Sequence, residues 1–187
     1  MTNGTTNSGK KNAAPPPPTA LSQPKGNTPV GTDRDAISLL KHDHQEVDRL
    51  FTEYESAPSD AAKRTLAIEI CSALKVHARI EEDLFYPAAY SQQTAQLLAE
   101  AKVEHACAKD LIAQIEASAP GEPMFDARIK VLAEYIRHHV AEEEGEIFPL
   151  CKKSGSDLAE LGRQLAVLKQ QLMRGATVSN PVLAIPA

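Results

Sequence analysis

HARIEEDLFYP begins at His77 and HVAEEEGEIFP at His139. Each stretch runs His-x-x-x-Glu, then a second Glu, then apolar residues, then Pro ten residues after the His. Residues four apart on a helix are neighbours, with Cβ atoms about 5–6 Å apart. His77 with Glu81 can therefore grip one metal ion from a single helix, and so can His139 with Glu143. Two lone histidines, His44 and His105, precede these pairs by 33 and 34 residues. The chain thus carries a weak internal repeat, one lone His followed by one His-x-x-x-Glu.

All six residues fall where their helices should be apolar. An ionised carboxylate is almost never fully buried without a partner, because desolvation costs several kcal/mol or more. No Lys or Arg lies on those stripes to neutralise Glu81 and Glu143. Imidazoles and carboxylates converging at mid-bundle meet the need by holding metal. Six protein ligands are too many for one tetrahedral zinc and suit two metals, with Glu81 and Glu143 as natural bridges. Imidazole plus carboxylate, with coordination left over for water or oxygen, suits iron, and manganese or zinc accepts the same donors. A metal-free reading, with the histidines as hydrogen-bonded core residues, accounts poorly for six polar positions in repeat register.

The elements that must position these residues read as helices. Ile37, Leu40, His44, Val47, Phe51 and Tyr54 recur at steps of three and four, behind a capping signal at Thr32 and Asp35. Pro58 ends that helix and Ser59 can cap the next, which carries Leu66, Ile70, Ala73, His77, Glu81 and Leu84 and should stop near Pro87. A third begins after Ser91, with Leu98, Ala101, His105, Ala108, Ile112 and Ile115, and is broken at Ala119-Pro120-Gly121. A fourth carries Phe125, Ile129, Leu132, Ile136, His139, Glu143 and Ile147 and should stop near Pro149. A shorter fifth, from about Ser156 to Met173, carries Leu158, Leu161, Leu165, Leu168 and Leu172. No β-branched alternating run suggests a strand. The expected fold is all-α, an up-and-down antiparallel four-helix bundle with an additional short C-terminal helix.

The expected organisation is a disordered Pro-rich tail over 1–31, the bundle over 32–152, the C-terminal helix over 153–174 and a loose tail over 175–187. The chain has 187 residues, 42% of them apolar, and a net charge of −5. That balance argues against nucleic acid as the main partner, since phosphate binding needs a basic face. No apolar run reaches the roughly 18–20 residues that span a bilayer, and the polar N-terminus has no secretory apolar core. Three scattered cysteines do not make a disulfide framework, so a reducing, cytoplasmic setting is expected.

DHQEVDRLF, HARIEEDLFYP, EHACAKDLI and HHVAEEEGEIFP together resemble the four helices of a hemerythrin-like domain, of the bacterial HHE cation-binding type. The resemblance covers roughly residues 34–151. It implies a four-helix bundle with a non-haem di-iron centre, two Fe ions per chain, whose ligands map onto His44, His77, Glu81, His105, His139 and Glu143. The chain departs from the oxygen-carrying hemerythrins, which have a second His one turn from the third-helix His and an Asp five residues after the last His. Here Ala101 and Lys109 flank His105 at one turn, with Glu143 at +4 and Glu144 at +5 after His139. The departure argues against reversible oxygen carriage. It leaves a centre that binds oxygen, nitric oxide or iron for sensing, storage or stress response, or a redox enzyme that decomposes peroxide or activates oxygen. The expected partners are therefore metal ions and a small diatomic ligand or peroxide. No His has a Glu three residues before it, so the ferritin-like Glu-x-x-His class is excluded.

Other polar residues rank lower. His42, His138, Glu82, Glu142, Glu144 and Glu146 read as helix charges in water, with Glu144 the best substitute for Glu143 as ligand. Asp48, one turn after His44, and Glu104, beside His105, are candidates to orient an imidazole through its other N–H. Tyr135 lies one turn before His139 on the same face. Phe51, Phe85 and Phe148 read as apolar lining, Cys71 and Cys107 as small core residues, and Cys151 as a thiol past the bundle.

Overall fold

The computed structural model describes Met1 and residues 34–179, with side chains up to residue 175. Within those residues every regular element is helical. Helix α1 spans Ala36–Glu55, α2 Asp60–Ile80, α3 Tyr86–Ala89, α4 Ala95–Glu116, α5 Phe125–Glu142, α6 Phe148–Lys153 and α7 Leu158–Ser179. Two π-helical turns, π1 at Glu81–Phe85 and π2 at Glu143–Ile147, join α2 to α3 and α5 to α6 without a break.

Local chemistry sets most boundaries. Asp35 is itself the N-cap of α1 and accepts from Ser38 N–H at 2.9 Å, while Thr32 lies outside the described residues. Ser59 caps α2 by accepting from Ala62 N–H. Pro87 and Pro149 do not stop their helices as the sequence suggests; each lies in the first turn of a helix that continues, α3 or α6. The π turns account for this. Tyr86 N–H bonds Glu81 C=O and Phe148 N–H bonds Glu143 C=O, five residues back in each case. The widened turn eases the clash between a proline ring and the carbonyl four residues earlier, and proline has no N–H to lose.

Side-chain contacts fix the helix directions. Tyr54, at the end of α1, donates to Asp126 at the start of α5, and Lys63 of α2 reaches the same carboxylate. At the other end His44 of α1 meets His77 of α2 and Glu143. Lys75 of α2 pairs with Glu116 of α4, and His105 of α4 faces Glu81. Helices α1, α2, α4 and α5 therefore alternate in direction and form an up-and-down antiparallel bundle. Helix α7 is as long as the bundle helices and runs parallel to α1. It comes so close at Gly162 that an added Cβ would lie 2.3 Å from Arg34 O.

Two apolar clusters fill the interior. One gathers Ile37, Leu40, Ile80, Phe85, Tyr86, Phe148, Leu161 and Leu165 under α7. The other gathers Val47, Phe51, Tyr54, Ile70, Leu74, Ile112, Ile115, Phe125 and Leu132 at the opposite end. The polar residues of the repeat lie between them.

Candidate metal centre

His44, His77, Glu81, His105, His139 and Glu143 are all buried and converge in that layer. His44 Nε2 lies 3.1 Å from His77 Nε2 and 3.3 Å from a Glu143 oxygen. His77 Nε2 is 3.1 Å from Glu81 Oε1. In the other half, His105 Nε2 is 3.3 Å from His139 Nε2 and 3.4 Å from Glu81 Oε2. Two groups result, one of His44, His77, Glu81 and Glu143, the other of Glu81, His105 and His139. Glu81 belongs to both; Glu143 falls in the first group alone.

The outward ring nitrogens meet carboxylates. His44 Nδ1 is 2.8 Å from Glu144, His105 Nδ1 2.9 Å from Glu82, and His139 Nδ1 2.7 Å from Glu104. His77 Nδ1 faces Asp43 at 3.6 Å. A carboxylate only accepts, so at His44, His105 and His139 it holds the ring proton on Nδ1 and turns the Nε2 lone pair inward; His77 Nδ1 is buried without a hydrogen-bond partner. Lysines secure two of these carboxylates: Lys41 reaches Glu144 and Lys109 reaches Glu82, each at 2.6 Å.

The halves match residue by residue. Asp43 and Glu104 each precede a lone His and face the His of the His-x-x-x-Glu pair in their own half. Glu144 and Glu82 each follow the buried Glu and hold the lone His of the opposite half. Rings match too: Phe148 stacks on His44 at 5.9 Å and Tyr86 on His105 at 5.4 Å. One departure from this symmetry carries a hydroxyl, since Tyr86 Oη lies 3.2 Å from His105 Nε2.

Electrostatics reflect the crowding. Both oxygens of Glu81 and both of Glu143 are buried without a hydrogen-bond partner. Burial pushes the Glu143 carboxyl up to about 7, helped by the charge on Glu81. Burial opposes ionisation of Glu81 too, but His77 and His105 hold it well below the usual carboxylate range. Burial disfavours charge on His77, yet Glu81 and Asp43 outweigh it and hold the ring at about 10. Burial lowers His139. A cavity of about 20 Å³ adjoins the four imidazoles, walled by Val47, Leu74, Ala108, Ile112, Ile136 and Val140 among others. That is room for a water-sized or diatomic molecule.

Several readings of individual residues change. Glu144 lies outside the two buried groups, its oxygens bonded to His44 and Lys41. Glu82 is not merely a helix charge in water. Glu104 orients His139 rather than its neighbour His105, and Asp48 pairs with Arg137 at the surface. Tyr135 packs at the far apolar cluster beside Cys107, away from the centre. Cys107 is exposed rather than a core residue, and Cys151 is buried; burial pushes the Cys151 thiol up, which makes it less reactive. Asp43 and Tyr86 escaped the reading of the sequence, and Glu82 was read only as a helix charge. Aligning the two repeats would have set Tyr86 against Phe148, each five residues after the buried Glu and just before Pro.

A bundle with paired His-x-x-x-Glu helices and lone histidines defines a cation-binding class, and the family comparison agrees. The model of the hemerythrin HHE cation binding domain matches residues 35–151, and the chain belongs to that family. It is similar to a DNA nickase of Nostoc sp., 30% identical over 124 residues, or 63% of this chain and 34% of that protein, so it spans about a third of that relative. An uncharacterized protein of Mycobacterium tuberculosis, Rv2633c, is 26% identical over 141 residues, 73% of this chain and 86% of that one. The crystal structure of an HHE cation binding domain-containing protein from Mycobacterium kansasii, a homolog of Rv2633c, aligns with a TM-score of 0.68 at 26% identity, covering 81% of this chain and 94% of that one. The family implies metal cation binding, and the two His/Glu groups could hold metal. No helix among the described residues is long and apolar enough to cross a membrane.

Proposed function

We propose that the chain is a non-haem di-iron protein whose metals are held by His44, His77, Glu81, His105, His139 and Glu143. On this reading it binds oxygen, nitric oxide or iron itself, for sensing, storage or a stress response in the cytoplasm. The metal-binding unit is residues 32–152, with the C-terminal helix laid against it.

One observation carries the reading. Four buried carboxylate oxygens without a hydrogen-bond partner face imidazole nitrogens, two pairs of which lie only 3.1 and 3.3 Å apart. So many electron pairs packed together repel one another unless cations lie among them. Two groups sharing Glu81 fit two ions better than one. Mixed nitrogen and oxygen donors suit iron, and manganese or zinc would accept them. Bound iron would supply an open coordination position and a change of oxidation state. The protein's part is to keep His44, His105 and His139 in one tautomer, exclude bulk water with two apolar clusters, and leave the cavity beside the rings for a small neutral ligand.

The Tyr86 hydroxyl favours a second reading, a redox enzyme that decomposes peroxide or activates oxygen. It is a buried proton donor against the centre, without a counterpart in the other half. Nicking of DNA, in the name of one relative, is not carried over to a chain that spans a third of that protein.

Metal analysis of the purified protein, with an optical spectrum before and after reduction and re-exposure to air, tests the reading. Two irons per chain with near-ultraviolet absorption that bleaches on reduction are expected. Reversible return in air favours ligand binding, and irreversible change favours redox chemistry. Protein made with ample iron that holds none overturns both.

A further inference from the structure

A second gap reaches the centre, and its chemistry is opposite to that of the apolar cavity. It measures about 10 Å³ and lies between α4 and the α5–π2 segment, walled by Glu100, Ala101, Glu104, His139, Glu142 and Glu143 among others. The wall passes from exposed Glu100 through half-buried Glu104 and Glu142 to Glu143, which is 0% exposed. Four carboxylates line it, and no Lys or Arg does. Glu104 and Glu142 of its wall, with exposed His138 beside them, each bring one ligand atom within 4.8 Å of one another. At its inner end Glu143 has both oxygens buried and unpartnered. Ala101, one turn before His105, keeps the gap open because a methyl group fills so little of it.

A divalent cation reaching a dry centre must shed its water, and a file of carboxylates can replace that water step by step. Acidic walls of low dielectric also raise the local cation concentration. We propose that this acidic gap is the route by which divalent metal passes between solvent and the centre, with Glu104, His138 and Glu142 as a transient outer seat. The inference rests on the two-metal reading above.

Stopped-flow uptake of Co²⁺ by the full metal-free chain, and chelator-driven release from the loaded protein, test the route. A passage lowers the barrier in both directions, so closing it slows both without changing the final stoichiometry. The Glu100→Gln, Glu142→Gln double variant should slow uptake and release together by about tenfold. Ala101→Val should do the same with no change of charge. Glu53→Gln with Glu134→Gln, which removes as much charge elsewhere on the surface, should leave both rates alone. Unchanged rates in the gap variants, an equal effect in the surface control, or slower uptake with release unchanged overturns the route alone. Failure of the unmodified chain to take up Co²⁺ overturns the two-metal reading beneath it.

Discussion

Lys169 of α7 pairs with Asp43 Oδ1 of α1, and the other oxygen of Asp43 faces His77 Nδ1 at 3.6 Å. A helix beyond the family domain thus reaches one of the candidate ligand rings through one intermediary. Glu104, which holds His139 in the other half, has no such lysine against it among the described contacts. Lys169 thus shares the charge that Asp43 turns toward His77, whereas the carboxylate facing His139 is not shared in this way. Lys169→Met should therefore alter metal retention, by up to about tenfold, with Lys169→Arg restoring it. Chelator competition reads this out, and equal retention in all three proteins would refute the link.

Glu143→Leu separates stability from binding. It replaces a buried, unpartnered carboxyl with a shape-compatible apolar group. The metal-free protein should gain about 1–4 kcal/mol, seen as a Tm several degrees higher. The same variant should lose the rise in Tm that added iron gives the unmodified chain. His77→Leu should likewise lose metal content while still folding; full metal content in either variant would refute the ligand set.

The pH dependence of the metal-free protein is dominated by Glu143 and His77, whose shifts are large; His105, which burial opposes but Glu81 and Glu82 raise, adds to the trend, and His139, lowered by burial, opposes it. Glu143, held at about 7 against an ordinary 4.5, costs stability as pH rises from 4.5 through 7. His77, held at about 10 against 6.5, contributes stability that is full below 6.5 and lost as pH rises through 10. Glu81 is held low, so its contribution is lost only below the ordinary carboxylate range. The metal-free chain should be less stable at about pH 8.5 than at about pH 6. Ligation needs unprotonated imidazole and carboxylate, so the gain in Tm on adding metal should grow over that window. Calorimetry with and without metal at both pH values checks it.

Gly162→Ala should loosen α7. Its Cβ would meet backbone atoms of Arg34, Asp35 and Ala36 at 2.3–2.8 Å. Backbone cannot swing aside as a side chain can, so a cost of about 1–3 kcal/mol is expected. Hydrogen exchange should rise first along α7, and a Tm unchanged from the parent would contradict the close approach.

Tyr86→Phe keeps the ring on His105 and removes the hydroxyl, making the two halves alike. If the centre only binds a small ligand, metal content and binding should both persist. If it is a redox enzyme using that proton donor, turnover of peroxide should fall by about 10²–10⁴-fold at unchanged iron content.

The bundle was legible because period and burial agree. His44, His77, His105 and His139 occupy stripe positions that only a helix would align, and the structure places all four inward. The π turns were not legible. One extra residue in a turn leaves composition unchanged, yet it rotates Phe85 and Tyr86 onto the buried face in place of Leu84. That rotation hid Tyr86 and made Pro87 look like a stop. Asp43, Glu82 and Glu144 were hidden for another reason. Each sits beside one candidate ligand in the chain but faces a different one across the bundle, and spacing along one helix carries no record of that crossing.

The pairing across the bundle also bears on how the two halves are joined. The α1–α2 hairpin and π1 carry Asp43, His44, His77, Glu81 and Glu82; the α4–α5 hairpin and π2 carry Glu104, His105, His139, Glu143 and Glu144. Each half holds one of every part, and its lone histidine is steadied only by its opposite number. The centre is therefore indifferent to whether both hairpins belong to one polypeptide. Exchange of hairpins between two chains through the Tyr90–Thr94 connection would rebuild each centre complete, a route to a dimer that asks for no new interface.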